Sequence, residues 1–261
     1  MPEPILFTHT DFDGVTCAIL FKAVYPWGEV RFCDYGDINA EVVVWSGSTH
    51  PDRQILITDL SVEPAVAEFL DRRGNVVLLD HHKTAEWLNK YPWAKVQTDK
   101  SGAALFYDFL ATTNLGDVGL YDELVARADD YDMWTHQWPE SRQLSRLLGI
   151  IGRNRFTDRF MRDPVPELTA SEKMLLELDD EAQNRYFKRI VEKAPALLHD
   201  VNGEKMRYTV VFAERYISEL GHHLVNALGL DYVVILDLQR HAGSIRGAGQ
   251  VDCSTLAKER G

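Results

Sequence analysis

Ile5-Leu6-Phe7-Thr8-His9-Thr10-Asp11-Phe12-Asp13-Gly14 is the stretch that decides the fold. Its first three residues are a short apolar run that reads as a buried strand. A polar, acidic segment ends the run, and Val15 to Tyr25 then has the spacing of a helix. The pattern recurs downstream. Val30-Arg31-Phe32-Cys33, Ile55-Leu56-Ile57 and Val76-Val77-Leu78-Leu79 are further strand candidates, and Pro64 to Leu70 has helical spacing between the last two. Strands alternating with helices predict an α/β domain built on a parallel sheet with helices on both faces. In such sheets ligands bind outside the carboxyl ends of the strands, so the polar residues just after each strand are expected to converge.

Beyond this region the pattern is mainly helical from Ser101 to Leu148, with Gly116 as a break. Gly149 to Pro166 mixes Gly, Arg, Asp and Pro and reads as a linker. An amphipathic stretch runs from about Ser171 to Leu198, followed by strand candidates at Tyr208 to Phe212, Tyr232 to Leu236 and Gly243 to Arg246, with a helix at Ile217 to Leu228. The expected organisation is a catalytic domain over residues 1–150, a linker and long connecting helix over 151–200, and a smaller α/β domain over 201–261.

Composition narrows the function classes. The 261 residues are 45% hydrophobic and 26% charged, enough to bury a sizeable core. Lys and Arg number 28 against 40 Asp and Glu, a net charge of −12. Affinity for long duplex DNA comes largely from Lys and Arg displacing counterions, so a general duplex coat protein is nearly excluded. The charge is uneven: residues 185–261 sum to +2 and residues 1–184 to −14, as suits one domain that holds cations and another that receives anions, although scattered surface charge gives the same sums. Cys17, Cys33 and Cys253 are widely spaced and form no C-x-x-C pair, which argues against a disulfide scaffold or a thiolate zinc site. The N-terminus lacks a signal-peptide pattern and no apolar run approaches the roughly 18 residues of a membrane span, so a cytoplasmic, reducing location is expected.

Four clusters stand where the strand-end rule places ligands. His9, Asp11 and Asp13 alternate after the first strand and would point to one side of an extended segment, with Gly14 turning the backbone into the helix. Thr58-Asp59-Leu60-Ser61 follows the third strand candidate and Asp80-His81-His82-Lys83 the fourth; Asp129, Asp130 and Asp132 precede Trp134 in the helical region. A single Asp at a strand end is more often a helix cap or turn residue than a ligand. Several carboxylates at one sheet edge would repel one another unless cations neutralised them. Carboxylate and imidazole donors without thiolates suit Mn²⁺, Mg²⁺ or Co²⁺. Two such ions about 3.5–4 Å apart would hold a hydroxide and clamp a phosphoryl group for in-line attack.

The ordered set H-x-D-x-D-G (9–14), T-D-L-S (58–61), D-H-H (80–82) and D-D-Y-D-x-W (129–134) resembles the DHH phosphoesterase superfamily, and within it the NrnB-like nanoRNase group. The resemblance implies a DHH catalytic domain followed by a DHH-associated substrate-binding domain, and two Mn²⁺ ions as cofactor, with Mg²⁺ or Co²⁺ as substitutes. It implies that His9 and Asp11 bind one ion, that Asp13 binds the other, and that Asp59 bridges both. His81 and one Asp of the fourth cluster would complete the second site; Asp130 is favoured by its spacing to Trp134, with Asp129 and Asp132 as alternatives. Asp80 would fix a histidine tautomer and His82 would lie beside the scissile phosphate, as donor to an oxygen or acid for the leaving group. Lys83 would add phosphate charge or be merely solvated.

In the second domain Ser244-Ile245-Arg246 and Val251 to Lys258 are similar to the last part of the family's substrate-binding domain, which continues into a glycine-rich G-G-G-H loop. The sequence stops at Gly261, where that loop would begin, so the domain is expected to be partial. Arg246 is the candidate phosphate ligand there, with a salt bridge to Asp252 or Glu259 as the competing reading. Gly221-His222-His223 is expected at a helix end. Trp134, Trp138 and Tyr131 could stack bases, although their helical spacing favours core packing.

The leading expectation is a Mn²⁺-dependent phosphodiesterase, an exonuclease on short single-stranded oligonucleotides of unfixed polarity. The alternatives are a phosphatase or diesterase for small nucleotides such as pAp or a cyclic dinucleotide, and a non-catalytic DHH-like binding module. Homodimerisation is compatible with all three, and no membrane partner is expected.

Overall fold

The computed structural model describes residues 3–47, 52–113, 116–201, 204–248, 251, 253 and 256. It divides into two compact units, residues 1–176 and 177–261.

The first unit carries β1 (Ile5–Thr8), α1 (Phe12–Val24), β2 (Glu29–Phe32), α2 (Ile38–Gly47), β3 (Ile55–Thr58), α3 (Pro64–Arg73), β4 (Val76–Asp80), a 3₁₀ helix (Lys83–Lys90) and β5 (Ala94–Val96). The sheet is parallel throughout, in the order β2-β1-β3-β4-β5, with Ile5 opposite Ile55 and Ile55 opposite Val76. The inner strands β1, β3 and β4 read as apolar runs because both of their faces are covered. Leu6 and Leu56 enter a core with α1, whereas Ile5, Phe7, Ile55, Ile57 and Leu78 enter a second core with α2 and α3. This is the α/β architecture expected from the sequence.

Four further helices follow: α4 (Gly102–Ala111), α5 (Asp122–Asp132), α6 (Pro139–Ile151) and α7 (Arg153–Arg162), with a 3₁₀ turn at Val118–Tyr121 before α5. The Gly149–Pro166 stretch is therefore no bare linker. Phe156 and Phe160 on α7 are fully buried, and the Phe156 ring meets Phe12 edge-on with centroids 5.8 Å apart. Only two aromatics of the decapeptide carry this packing, so its composition reads as polar.

The helix α8 (Ala170–Val191) is shorter than the amphipathic pattern suggested. Pro195 cannot continue a helix, and Leu197-Leu198 open β6 (Leu197–Val201) instead. With β7 (Glu204–Phe212), α9 (Ile217–Leu228), β8 (Tyr232–Asp237) and β9 (Ala242–Gly247) it forms a sheet of order β6-β7-β8-β9. Its β7–β8 pair is parallel across α9, and the two edge pairs are antiparallel. Gly221 lies inside α9 rather than at its end, and a Cβ there would come within 2.6 Å of the Arg246 side chain that packs on it. Within the same helix His222 Nε2 pairs with the Asn226 amide at 2.9 Å, and the ring of His223 lies 5.1 Å from Phe187.

Candidate active site

The site is assembled at the carboxyl edge of the first sheet. His9, Asp11 and Asp13 follow β1, Asp59 follows β3, and Asp80 closes β4 just before His81 and His82. Because the strands are parallel and in register, their ends lie side by side. Three groups of donor atoms lie within 4.8 Å of one another: His9, Asp11 and Asp59; Asp13, His81 and Asp132; and Asp59, Asp80, His81 and His82.

Each carboxylate is fixed by backbone. Asp11 caps α1, its Oδ1 accepting from the Gly14 amide at 3.0 Å, while its Oδ2 stands 2.8 Å from His9 Nδ1. Asp13 is only 2% exposed, and its two oxygens accept from the first amides of α4, Gly102 at 2.7 Å and Ala103 at 2.9 Å. A helix N-terminus is a natural seat for a carboxylate. Asp59 sits in the left-handed region with φ 56°, a conformation Asp tolerates better than most residues. Gly102 is pressed against it, since a Cβ on Gly102 would fall 2.7 Å from Asp59 Cβ and 2.9 Å from Asp13 Oδ2.

Among the aspartates of the fourth cluster the structure reverses the favoured choice. Asp130 points away from the other site residues. Its carboxylate accepts from the Thr135 hydroxyl at 2.6 Å and from the amides of Gln137 at 2.6 Å and Trp138 at 3.3 Å. Burial alone would raise its pKa, but the nearby Ser141 hydroxyl together with these bonds holds it down at about 2. Asp129 accepts from the Ser101 amide at 2.7 Å. Asp132 is the one that reaches the site, 3.3 Å from His81 Nε2. The spacing argument failed because α5 ends at Asp132, so Trp134 lies beyond the helix. For the same reason Trp134 is not core: it is 79% exposed with φ 57°, and Trp138 is partly exposed beneath the Arg127 guanidinium. Tyr131 does pack inward, edge-on to Phe12.

The histidines are held differently. Asp80 is fully buried, and its Oδ1 accepts from the His81 amide at 2.8 Å and pairs with His82 Nδ1 at 2.8 Å. His81 Nε2 stands 3.2 Å from Asp59 Oδ1. Two residues not singled out in the sequence also belong here, Asp34 and Tyr35, which follow β2. The Tyr35 hydroxyl is 2.8 Å from His82 Nε2, and its ring lies 5.0 Å from that of His9. Asp34 accepts from the Thr10 hydroxyl and lies 3.7 Å from His9 Nε2. The strand-end rule, applied to the second strand as to the others, points to both. Lys83 is exposed at the start of the 3₁₀ helix after His82. Arg246, in the second unit, bonds to the Ile245 carbonyl at 3.0 Å and the Ser218 hydroxyl at 3.4 Å. Asp252 and Glu259 lie outside the described residues.

The electrostatics are those of a negatively charged cage. Burial, and then the charge of Asp132, push Asp13 up to about 7. Burial and the neighbouring Asp13 and Asp11 raise Asp59 far above the carboxylate range, and burial likewise raises Asp132. His81 is pushed down by burial. Asp11 runs the other way: burial pushes it up, but His9 beside it holds it below its ordinary value, and His9 is raised in return. Burial and the carboxylates of Asp59, Asp11, Asp80 and Asp132 raise the Tyr35 phenol, which keeps its proton.

Five buried polar atoms at this one place have no hydrogen-bond partner: His9 Nδ1, Asp59 Oδ2, Asp80 Oδ2, His81 Nε2 and Asp132 Oδ2. Several lie within 4 Å of an oppositely charged group without the directionality of a hydrogen bond. Buried donors and acceptors are rarely left unpaired, so a cluster of them calls for a further occupant. All are oxygen or imidazole nitrogen, the donor set of Mn²⁺ and Mg²⁺, and the residues fit divalent cations.

No family model matches the chain. Oligoribonuclease NrnB of Bacillus subtilis (strain 168) is 29% identical over 98% of this chain and 69% of its own length. Among solved structures, exonuclease RecJ bound to manganese superposes with a TM-score of 0.59 at 13% identity, covering 98% of this chain and 80% of that one. The pGpG-specific phosphodiesterase PggH from Vibrio cholerae gives 0.54 at 15%, covering 93% and 81%. At such identities the structural likeness is one of fold. Joined to the NrnB likeness along almost the whole sequence and to the four motifs meeting at one sheet edge, it supports the resemblance of the chain to the DHH superfamily of phosphoesterases.

Proposed function

We propose that the chain is a Mn²⁺-dependent phosphodiesterase that degrades short oligonucleotides in the manner of a nanoRNase. The single observation that carries this reading is the meeting of His9, Asp11, Asp13, Asp59, His81 and Asp132, of which His9, Asp59, His81 and Asp132 each keep a buried donor atom without a hydrogen-bond partner. His9 and Asp11 would hold one ion, Asp13, His81 and Asp132 the other, and Asp59 both. Bound divalent ions supply Lewis-acid charge and make water a nucleophile near neutral pH, so no side-chain base is needed. The likeness to NrnB, an oligoribonuclease, and the acidic balance of the chain both favour a short substrate over a long duplex.

The chain's own residues do the rest. Asp80 fixes the His82 ring through Nδ1 and leaves Nε2 facing Tyr35. His82 is thereby poised beside a phosphoryl oxygen or the leaving group, with its pKa raised chiefly by the Asp80 hydrogen bond. Lys83 is offered as a nearby positive charge and Arg246 as a phosphate ligand of the second unit. A non-catalytic relative would be expected to have lost donors, and His9, Asp11, Asp13, Asp59, His81 and Asp132 all stand in the clustered donor groups here, which supports the catalytic reading.

End-labelled RNA dinucleotides and five-nucleotide strands, incubated with Mn²⁺ or with EDTA and resolved by product, test the proposal. Expected are mononucleotide products in Mn²⁺, none in EDTA, and loss of turnover in folded Asp59→Ala. Preference for pAp over every dinucleotide would favour the small-nucleotide phosphatase. Wild-type turnover by Asp59→Ala would end the two-ion reading.

A further inference from the structure

Tyr35 stands in the site without a role in the chemistry described so far. Its ring is braced between two histidines, 5.0 Å from His9 and 5.5 Å edge-on from His82, while half of the residue remains open to solvent. Its hydroxyl is 2.8 Å from His82 Nε2. The proton on that bond can be placed. Asp80 Oδ1 already accepts from the His81 amide and, as a carboxylate oxygen, can only accept from His82 Nδ1, which therefore carries hydrogen. In the neutral ring Nε2 is then a lone pair, and the Tyr35 hydroxyl is the donor.

This matters for an anionic substrate. A phosphoryl oxygen is an acceptor and gains nothing from the lone pair that the neutral His82 ring turns toward it at Nε2. Until the His82 ring takes up a second proton, the donor at that point of the site is the Tyr35 hydroxyl, which can turn about its C–O bond from Nε2 to an incoming oxygen while the braced ring stays still. We infer that Tyr35 is a substrate-binding residue, whose hydroxyl passes from His82 to a non-bridging oxygen of the phosphodiester being cleaved. The inference rests on the phosphodiesterase reading and adds to it one donor beyond the metal ligands and the Asp80–His82 pair.

The test is Tyr35→Phe, which keeps the ring against His9 and removes only the hydroxyl. On an RNA dinucleotide, kcat/KM is expected to fall about 10- to 100-fold, the range for a hydrogen bond to a charged group. Mn²⁺ binding measured by calorimetry without substrate should stay within about twofold, since the hydroxyl touches no proposed metal ligand. The discriminating readout uses the two phosphorothioate diastereomers of the same dinucleotide. Sulfur accepts hydrogen bonds poorly, so wild type should lose rate on the isomer that places sulfur at Tyr35, and the ratio between isomers should shift about fivefold or more in Tyr35→Phe. Wild-type turnover with an unchanged kcat/KM in the variant, an unchanged isomer ratio, or weakened Mn²⁺ binding would each overturn the role of Tyr35 alone. Wild type that neither binds nor cleaves any dinucleotide would overturn the functional reading and this inference with it.

Discussion

Replacing Gly102 by alanine adds one methyl group at the crossing of β3 and α4. That methyl would sit 2.7 Å from Asp59 Cβ, 3.0 Å from Asp59 Cα and 2.9 Å from Asp13 Oδ2. Carbon atoms rest at about 3.5–4.0 Å, so one partner must retreat by roughly 1 Å. Asp59 cannot easily give way, because its backbone is held in the left-handed region and its amide donates to the Leu79 carbonyl at 3.0 Å. The start of α4 must move instead, stretching the 2.7 and 2.9 Å bonds that seat Asp13 beyond hydrogen-bond length. Overpacking of this kind costs about 1–3 kcal/mol, and weakening bonds to a buried carboxylate adds to it. A net loss of about 2–4 kcal/mol is expected, against the gain of up to about 1 kcal/mol that alanine normally brings to a helix. A displacement of about 1 Å at a reacting centre lowers rate by on the order of 100-fold. Thermal or urea unfolding of Gly102→Ala, with dinucleotide turnover in Mn²⁺, reads both quantities. A variant as stable as wild type, or more stable, with turnover within twofold would refute the packing argument.

Other outcomes follow from the same geometry. Asp132→Asn should weaken Mn²⁺ binding in calorimetry at least tenfold with little change in apo stability, whereas Asp130→Ala should leave three donors unsatisfied and lower the thermal midpoint by several degrees. The pH dependence has a definite sign. Asp13, Asp59 and Asp132 have folded pKa values raised above the unfolded ones, so the apo fold loses their contribution to stability as pH rises from about 4 toward 7. Divalent cations displace those protons, and the rise in melting temperature on adding Mn²⁺ should therefore be larger at pH 8 than at pH 5.5. An equal or smaller rise at pH 8 would contradict it. Phe156→Ala should cost about 3–5 kcal/mol in unfolding, because α7 is part of the first core rather than a tether.

Much of this was legible in the chain itself. Apolar runs of three or four residues ending in acidic clusters announce buried parallel strands with ligands at their tips, and β1, β3 and β4 lie where those runs stand. The elements that escaped lack such a signal. The strand β5 is three residues long, and α2 carries Val42, Val43, Val44 and Trp45 in a row, so its apolar residues mark no clear helical face. Within the site, the first three motifs were readable because extended segments have a simple geometry. Asp130 and Asp132 could not be ranked that way. Successive helix positions turn by about 100°, so Asp129 and Asp132 lie on one side and Asp130 on another. Which side met the sheet depended on how α5 docks, a property of packing rather than of local order. Gly102 had no visible role at all, since its importance is the space it leaves for two distant aspartates.

The donor atoms that face one another come from Asp11, Asp59, His81 and Asp132, places as remote along the chain as its beginning and its middle. No fragment that stops short of the end of α5 brings all of them together, so a ribosome must release the chain through Asp132 before the nest exists. Uptake of a divalent ion would thus be a late event, available only to chains whose sheet is already assembled. By mass action, a divalent cation that bound there would then act as a ratchet that favours finished molecules over those still searching.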